Sequence, residues 1–241
     1  FLTFLKIEVC DWNNLPNYDP KMDSPIFSVS RYDNSKINLN TARYWSDQIQ
    51  KKMESYPKFI HSKKVKDKIT IGYVSNDFYN HATSYLINRL FKNHDNKKFK
   101  INLYSYGPKE SNYYLNKFKK EVNKFTDISN ISDYEASQKI FLDNVDVLID
   151  LKGFTGDTRL EIFALRPAPI QISWLGFPGS TGAKFIDYII TDKVVTPKSY
   201  QKYYSEKFLF MPDTYQINDD NRKIADIKFK RKNKGIIFCC F

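Results

Sequence analysis

An acid, an imidazole and two hydroxyls fall close together in the stretch SNDFYNHATS, as Asp77, His81, Thr83 and Ser84. A carboxylate beside an imidazole can manage a proton, and the start of a helix offers N–H groups and a positive dipole end to an anion. Together they suit a reaction in which a phosphate departs. Thr83 or Ser84 is predicted to cap the helix that follows. Plainer roles compete: Asp77 as a turn residue bonding its own backbone, His81 as a satisfied structural histidine, and Thr83 and Ser84 as caps alone.

Two more loops carry glycine, hydroxyl or ionisable groups, KGFTGDT and GFPGSTGA. The second places Gly176, Gly179 and Gly182 as G-x-x-G-x-x-G, with Pro178 stiffening its first half. Such a loop can approach a ligand closely, although a tight structural turn has the same composition. Neither G-x-G-x-x-G nor G-x-x-x-x-G-K-[ST] occurs, so the dinucleotide and nucleoside-triphosphate fingerprints are absent. Nor does Asp-x-Asp, the commonest sign of a metal-dependent nucleotide-sugar enzyme. Arg166, at the end of a helical pattern, is expected to neutralise that helix's last carbonyls. His61 and His94, set among lysines, are expected to be exposed bystanders.

The elements that must hold these loops follow from Lys68 onward. Apolar strand runs (ITIGYVS, KINLYSYG, VDVLIDLKG, PIQISWLG, DYIITD) alternate with helical patterns (TSYLINRLF, ESNYYLNKFKKEV, SDYEASQKIFLDN, TRLEIFALR). Continuous apolar strands joined by helical crossovers predict an α/β fold with a mainly parallel, doubly wound, Rossmann-like sheet. Ligands of such sheets bind beyond the carboxyl ends of the strands, where all three loops fall. Upstream, TARYWSDQIQKKM puts Trp45, Ile49 and Met53 on one helical stripe behind a Thr41 cap, and IFSVS reads as a short strand. The expected organisation is a helical and irregular segment over 1–60, a Rossmann-like lobe over 61–225, and a linker with the first strand of a further lobe over 226–241, where KGIIFCCF begins.

Composition bounds the rest. Of 241 residues, 41% are hydrophobic and 27% charged, which fits a globular chain and excludes a disordered tail or a membrane protein. No run approaches the roughly 18–20 apolar residues of a membrane-spanning helix. The start, FLTFLKIEVCDWNN, has no initiating Met, basic leader or cleavage site and reads as an internal position. Cys10, Cys239 and Cys240 form neither a C-x-x-C pair nor a metal finger, and core packing in a reducing, cytoplasmic compartment is expected of Cys239 and Cys240. The net charge of +11 would favour a polyanion if it lay on one face, but a solvated lysine surface is the stronger reading.

The stretches IGYVSNDFYNHATSYL, VLIDLKGFTGDTRLEIFALRPAPIQISWLGFPGSTGA, DYIITD and YSEKFLFMPDTYQIND occur in the order found in the protein O-GlcNAc transferase and SPINDLY family, glycosyltransferase family 41. They cover most of residues 68–220, and the chain most resembles bacterial members that carry tetratricopeptide repeats. The resemblance implies the N-terminal lobe of a two-lobed GT-B enzyme. Its activity would be inverting, metal-independent transfer of GlcNAc from UDP-GlcNAc to Ser or Thr of a protein. No cofactor is implied beyond that donor, and no membrane or nucleic-acid partner. The chain, cut at the start of the C-terminal lobe that makes most uridine contacts, is expected to be inactive alone. Upstream repeats of about 34 residues are expected in the whole protein.

By the same resemblance His81 stands at the active-site histidine, Asp77 at an acid that helps move the acceptor's proton, and Thr83 at a hydroxyl near the donor. Leu175, Gly176, Phe177 and Pro178 match the loop lining the sugar pocket, with Phe177 where Tyr is common. Animal members also have a His-rich stretch before the helix placed at 41–53, one histidine of which reaches the active site; DSPIFSVSRYDNS, the matching region, has none. Competing readings are a related transferase using fucose or glucose, and a basic, non-catalytic module for RNA or acidic proteins.

Overall fold

The strand-like runs become β1 (Ile69–Ser75), β2 (Phe99–Ser105), β4 (Val147–Asp150), β5 (Ile170–Ser173) and β6 (Tyr188–Thr191). Two further strands, β3 (Lys124–Asp127) and β7 (Lys207–Phe210), complete a seven-stranded sheet. This computed structural model describes residues 2–61, 66–109 and 111–223, and the expected strand within 226–241 lies outside them, as do Cys239 and Cys240. The order is β3-β2-β1-β4-β5-β6-β7 and every pair is parallel, so the α/β, Rossmann-like expectation holds.

The helices are α1 (Leu2–Glu8), α2 (Pro25–Arg31), α3 (Ser35–Met53), α4 (Ala82–Leu86), α5 (Tyr113–Glu121), α6 (Asp133–Leu142) and α7 (Leu160–Ala164), with a 3-10 turn at Lys198–Tyr203. Successive strand residues point to opposite faces, and the core divides accordingly. Val74, Tyr104 and Leu148 join Ile140 and Phe163 of α6 and α7 and Met53 of α3 on one face. Tyr73, Leu103 and Ile149 join Phe118 of α5 and Phe78, Phe91 and Trp174 of the loops on the other. Phe78, Phe91 and Phe118 meet edge to face, and each contributes roughly 1.5–3 kcal/mol by burial.

The chain runs outward from β1 through β2 to β3, then returns to lay β4 against the other side of β1. The carboxyl ends of β1 and β4 therefore flank the point where the strand order reverses, and the connections leaving them diverge to opposite faces. The loops at that point hold Asp77 and Lys152.

The N-terminal segment differs from the expectation in two places. IFSVS lies in helix α2: Pro25 occupies its first turn, where a missing N–H costs nothing, and Ser28 is buried against Thr41 of α3. Helix α3 starts at Ser35 under an Asn34 cap, which accepts the N–H groups of Lys36 and Ile37. Thr41 is a buried interior residue whose hydroxyl bonds Ile37 O, while the stripe of Trp45, Ile49 and Met53 does face the core. Gly182, at φ +66°, lets α3 come close, since a Cβ there would lie 2.3 Å from Arg43 N.

Three side chains take other roles than expected. His94 is partly buried against Tyr73, whose hydroxyl is 2.9 Å from its Nε2, and burial lowers its pKa. His61 Nε2 lies 2.9 Å from Arg166 O, while the Arg166 guanidinium reaches the carbonyls of Phe185 and Pro169 and the Asp187 carboxylate. Arg166 thus ties the approach of β5 to that of β6 instead of capping α7. Cys10 is exposed.

Candidate functional site

Asp77 is fixed by its own loop before any partner is counted. Its N–H donates to Ser75 Oγ at 3.0 Å, and Ser84 Oγ donates to its carbonyl at 2.6 Å. Phe78 next to it is buried in the core. The carboxylate, on a side chain 4% exposed, points to the β4 side of the crevice and meets the ammonium of Lys152, whose Nζ is 3.1 Å from Oδ2 and 3.3 Å from Oδ1. Both partners are out of water, so the pair must satisfy itself.

Lys152 is aimed by the turn that ends β4. The Asp150 carboxylate accepts the N–H of Lys152 at 2.9 Å and of Gly153 at 2.8 Å. Burial raises the Asp150 pKa to about 6, against the pull of those two N–H groups and the Lys152 charge. Tyr106, after β2, completes the floor. Burial, then the Asp150 and Asp77 carboxylates, push its phenol above the usual range.

His81 sits on the open side. It caps α4: its Nδ1 accepts the Thr83 N–H at 3.2 Å and lies 3.7 Å from Asp77 Oδ1. The expected cap at Thr83 or Ser84 is therefore corrected to His81, because both hydroxyls turn to Asp77: Thr83 Oγ1 reaches its Oδ2 at 3.5 Å and Ser84 Oγ its carbonyl. Helix α4 has five residues, so its dipole gives an anion less than a long helix would.

The glycine loop after β5 rests on the same β4 turn. Gly176 lies so close to it that a Cβ would stand 2.2 Å from Leu151 O, and Leu175 before it has φ +74°. Gly153, at φ +56°, leaves room for Phe177, whose ring packs edge to face on Phe154 at 5.7 Å. Phe177 is buried, Pro178 is exposed, and with Trp174 and Leu175 they line a cavity of about 90 Å³ that Ile190 and Tyr204 close. The far end of the loop is clamped by fully buried Glu206, which accepts from Ser180 Oγ, Thr181 N and Thr181 Oγ1.

Asp77, His81 and Thr83 thus form one contact cluster, and Gly176 and Phe177 pack on the turn at 151–154 from which Lys152 reaches it, with Leu175 and Pro178 beside them in the loop. Lys152, Asp150 and Tyr106 were not singled out from sequence. The signal for Lys152 was its position two residues beyond the end of β4, in a loop the carboxyl-end rule already selected. Among the described residues, no group of three or more His, Cys, Asp or Glu is arranged to hold a metal ion, and no helix is long and apolar enough to cross a membrane.

Comparison with known proteins agrees with this architecture. The model of glycosyl transferase family 41 matches residues 6–235. A probable UDP-N-acetylglucosamine–peptide N-acetylglucosaminyltransferase SEC of Arabidopsis thaliana is 38% identical over 184 residues, covering 72% of this chain and 19% of its own length. A UDP-N-acetylglucosamine–peptide N-acetylglucosaminyltransferase of Caenorhabditis elegans is 33% identical over 247 residues, covering 92% of this chain and 21% of its own length. The solved structure of a K341M mutant of Thermobaculum terrenum O-GlcNAc transferase shares the fold, with a TM-score of 0.71 at 24% identity over 78% of this chain and 36% of that one. The chain spans about a fifth of the length of the two curated relatives. By the match along nearly its whole length, the chain belongs to glycosyl transferase family 41.

Proposed function

We propose that this chain serves as the N-terminal lobe of an inverting, metal-independent enzyme that transfers GlcNAc from UDP-GlcNAc to Ser or Thr hydroxyls of proteins. The observation that carries the reading is the Asp77–His81–Thr83 cluster, standing at the strand-order reversal of a chain of this family. Inverting transfer needs the acceptor oxygen held opposite the departing diphosphate, a route for its proton, and groups that favour the charge left behind. In this reading Asp77 and His81 act at that reacting centre, and Thr83 with Leu175–Pro178 lies beside the donor sugar. A second lobe would supply most of the uridine and diphosphate contacts, so this chain alone is inactive. Upstream tetratricopeptide repeats would present the acceptor protein, and the cytoplasm is the expected compartment.

Label transfer from UDP-GlcNAc by a protein carrying both lobes tests the reading. His81→Ala and Asp77→Asn should each lower kcat/KM by about 10²-fold or more. Undiminished transfer by both variants overturns the site, and no transfer from UDP-GlcNAc or from fucose or glucose donors overturns the enzyme. Transfer that a chelator abolishes overturns metal independence.

A further inference from the structure

His81 Nδ1 stands between two groups that want opposite things of it. The Thr83 N–H, at 3.2 Å, needs a lone pair there; the Asp77 carboxylate, at 3.7 Å, would favour a proton there. The conflict is decided across the crevice, where the Lys152 ammonium reaches both Asp77 oxygens at 3.1 and 3.3 Å, closer than Asp77 Oδ1 comes to the ring. The other groups around the imidazole are the Tyr79 ring, 5.5 Å away, and Thr83 Oγ1, which itself leans on Asp77. Behind Asp77 stand Asp150 and the Tyr106 phenol.

We infer that Lys152 is a positioning residue: by occupying the Asp77 carboxylate, it keeps His81 as the neutral tautomer whose Nδ1 accepts from Thr83 and whose Nε2 carries the hydrogen. Among the described residues Nε2 has no partner, and the side chain is about a third exposed, at 37%. His81 then offers a hydrogen bond to an oxygen gaining negative charge in the crevice and does not take a proton at Nε2. This division of labour rests on the proposed transfer reaction, but the protonation pattern it requires belongs to the chain itself.

Ring ¹⁵N spectra of the 241-residue chain test it without any activity assay, and a His81→Asn sample separates His81 from the other two histidines, His61 and His94. In the unsubstituted chain near neutral pH, His81 should show protonated Nε2 and bare Nδ1; the opposite tautomer overturns the inference, even if no variant folds. In Lys152→Met the carboxylate is released toward Nδ1, and the spectrum near neutral pH should lose the bare-Nδ1 pattern in favour of a hydrogen on Nδ1. Lys152→Arg, which keeps the charge, should keep the parent's pattern, and Asp77→Asn combined with Lys152→Met should restore it. A folded Lys152→Met chain that keeps the parent's ring pattern, or an equal change in the double variant, overturns it. Failure of sugar transfer in the two-lobed protein would leave these spectra unchanged, so the two ideas fail separately.

Discussion

The two ends of the sheet handle lysine in opposite ways. At the carboxyl end Lys152 and Asp77 face each other with side chains 7% and 4% exposed. At the amino end Lys66, Lys68 and Lys100 rim an open bowl of about 560 Å³ with Asp67, Asp143 and Asn144, and the Lys66–Asp146 pair there is 30% exposed on each side. The bowl carries more lysines than the crevice, yet its charges are hydrated and each ammonium can relax into water. At the crevice the ion pair has replaced hydration, so its geometry is dictated by the fold. Charge marks a site here only where it is buried.

The largest test of that contrast is to remove one buried partner. Lys152→Met strands a carboxylate out of water and should destabilise the fold by about 3–5 kcal/mol in denaturant titrations. Asp77→Asn combined with Lys152→Met should recover much of the loss, because no lone charge remains. Its cost should change little with added salt, which screens buried pairs weakly.

Asp150 gives the next effect, and its sign is opposite to the usual carboxylate case. Its folded pKa is raised to about 6 from an ordinary 3.8, so the folded state holds the proton more tightly. The stability it contributes is fully present below about pH 4 and is lost as pH rises through about 6, by roughly 3 kcal/mol for a shift of about two units. Asp150→Asn should therefore cost more stability at about pH 3.5 than at about pH 7.5, by roughly that amount. A constant difference between parent and variant across this range would show that burial does not govern Asp150.

Glycines at the two kinds of place should also differ. Gly176→Ala would drive a methyl group into Leu151 O, which is backbone and cannot move aside, and should cost about 1–3 kcal/mol and disturb the turn holding Lys152. Gly156→Ala, at φ +65° with nothing within 4 Å, should cost about 1 kcal/mol from the left-handed backbone alone. Melting curves of the two variants compare them directly.

What the sequence made legible follows the same division between buried and solvated. Strands β1, β2, β4, β5 and β6 were readable because each is an apolar run, and the carboxyl-end rule then selected the loops of Asp77, Lys152 and Gly176. Strand β3 escaped because its four residues are only half covered at the sheet edge, and β7 because its KFLF run sits on the other edge. The apolar stripe of Trp45, Ile49 and Met53 is the clearest signal in α3 and points to a start later than the real one, because Leu39 and Ala42 bury the first turns with a weaker pattern. Lys152 was hidden for a different reason. Its partner lies 75 positions away, and one lysine among 38 basic residues carries no local mark of being buried.

The smallest effect is the control on the comparison. Lys66 Nζ touches Asp146 Oδ1 at 2.6 Å, a shorter contact than any made by Lys152, so distance alone would rank it first. Lys66→Met leaves Asp146 in water and still accepting the Thr70 N–H at 2.8 Å through its other oxygen. The carboxylate is therefore not stranded, and the cost should stay within about 1 kcal/mol and shrink further as salt is raised. Denaturant midpoints of Lys66→Met and Lys152→Met, measured side by side at low and high salt, decide between distance and burial. Equal losses for the two would mean that the amino-end bowl is as dry as the crevice, and the reason for placing the working charge at Lys152 would fall with it.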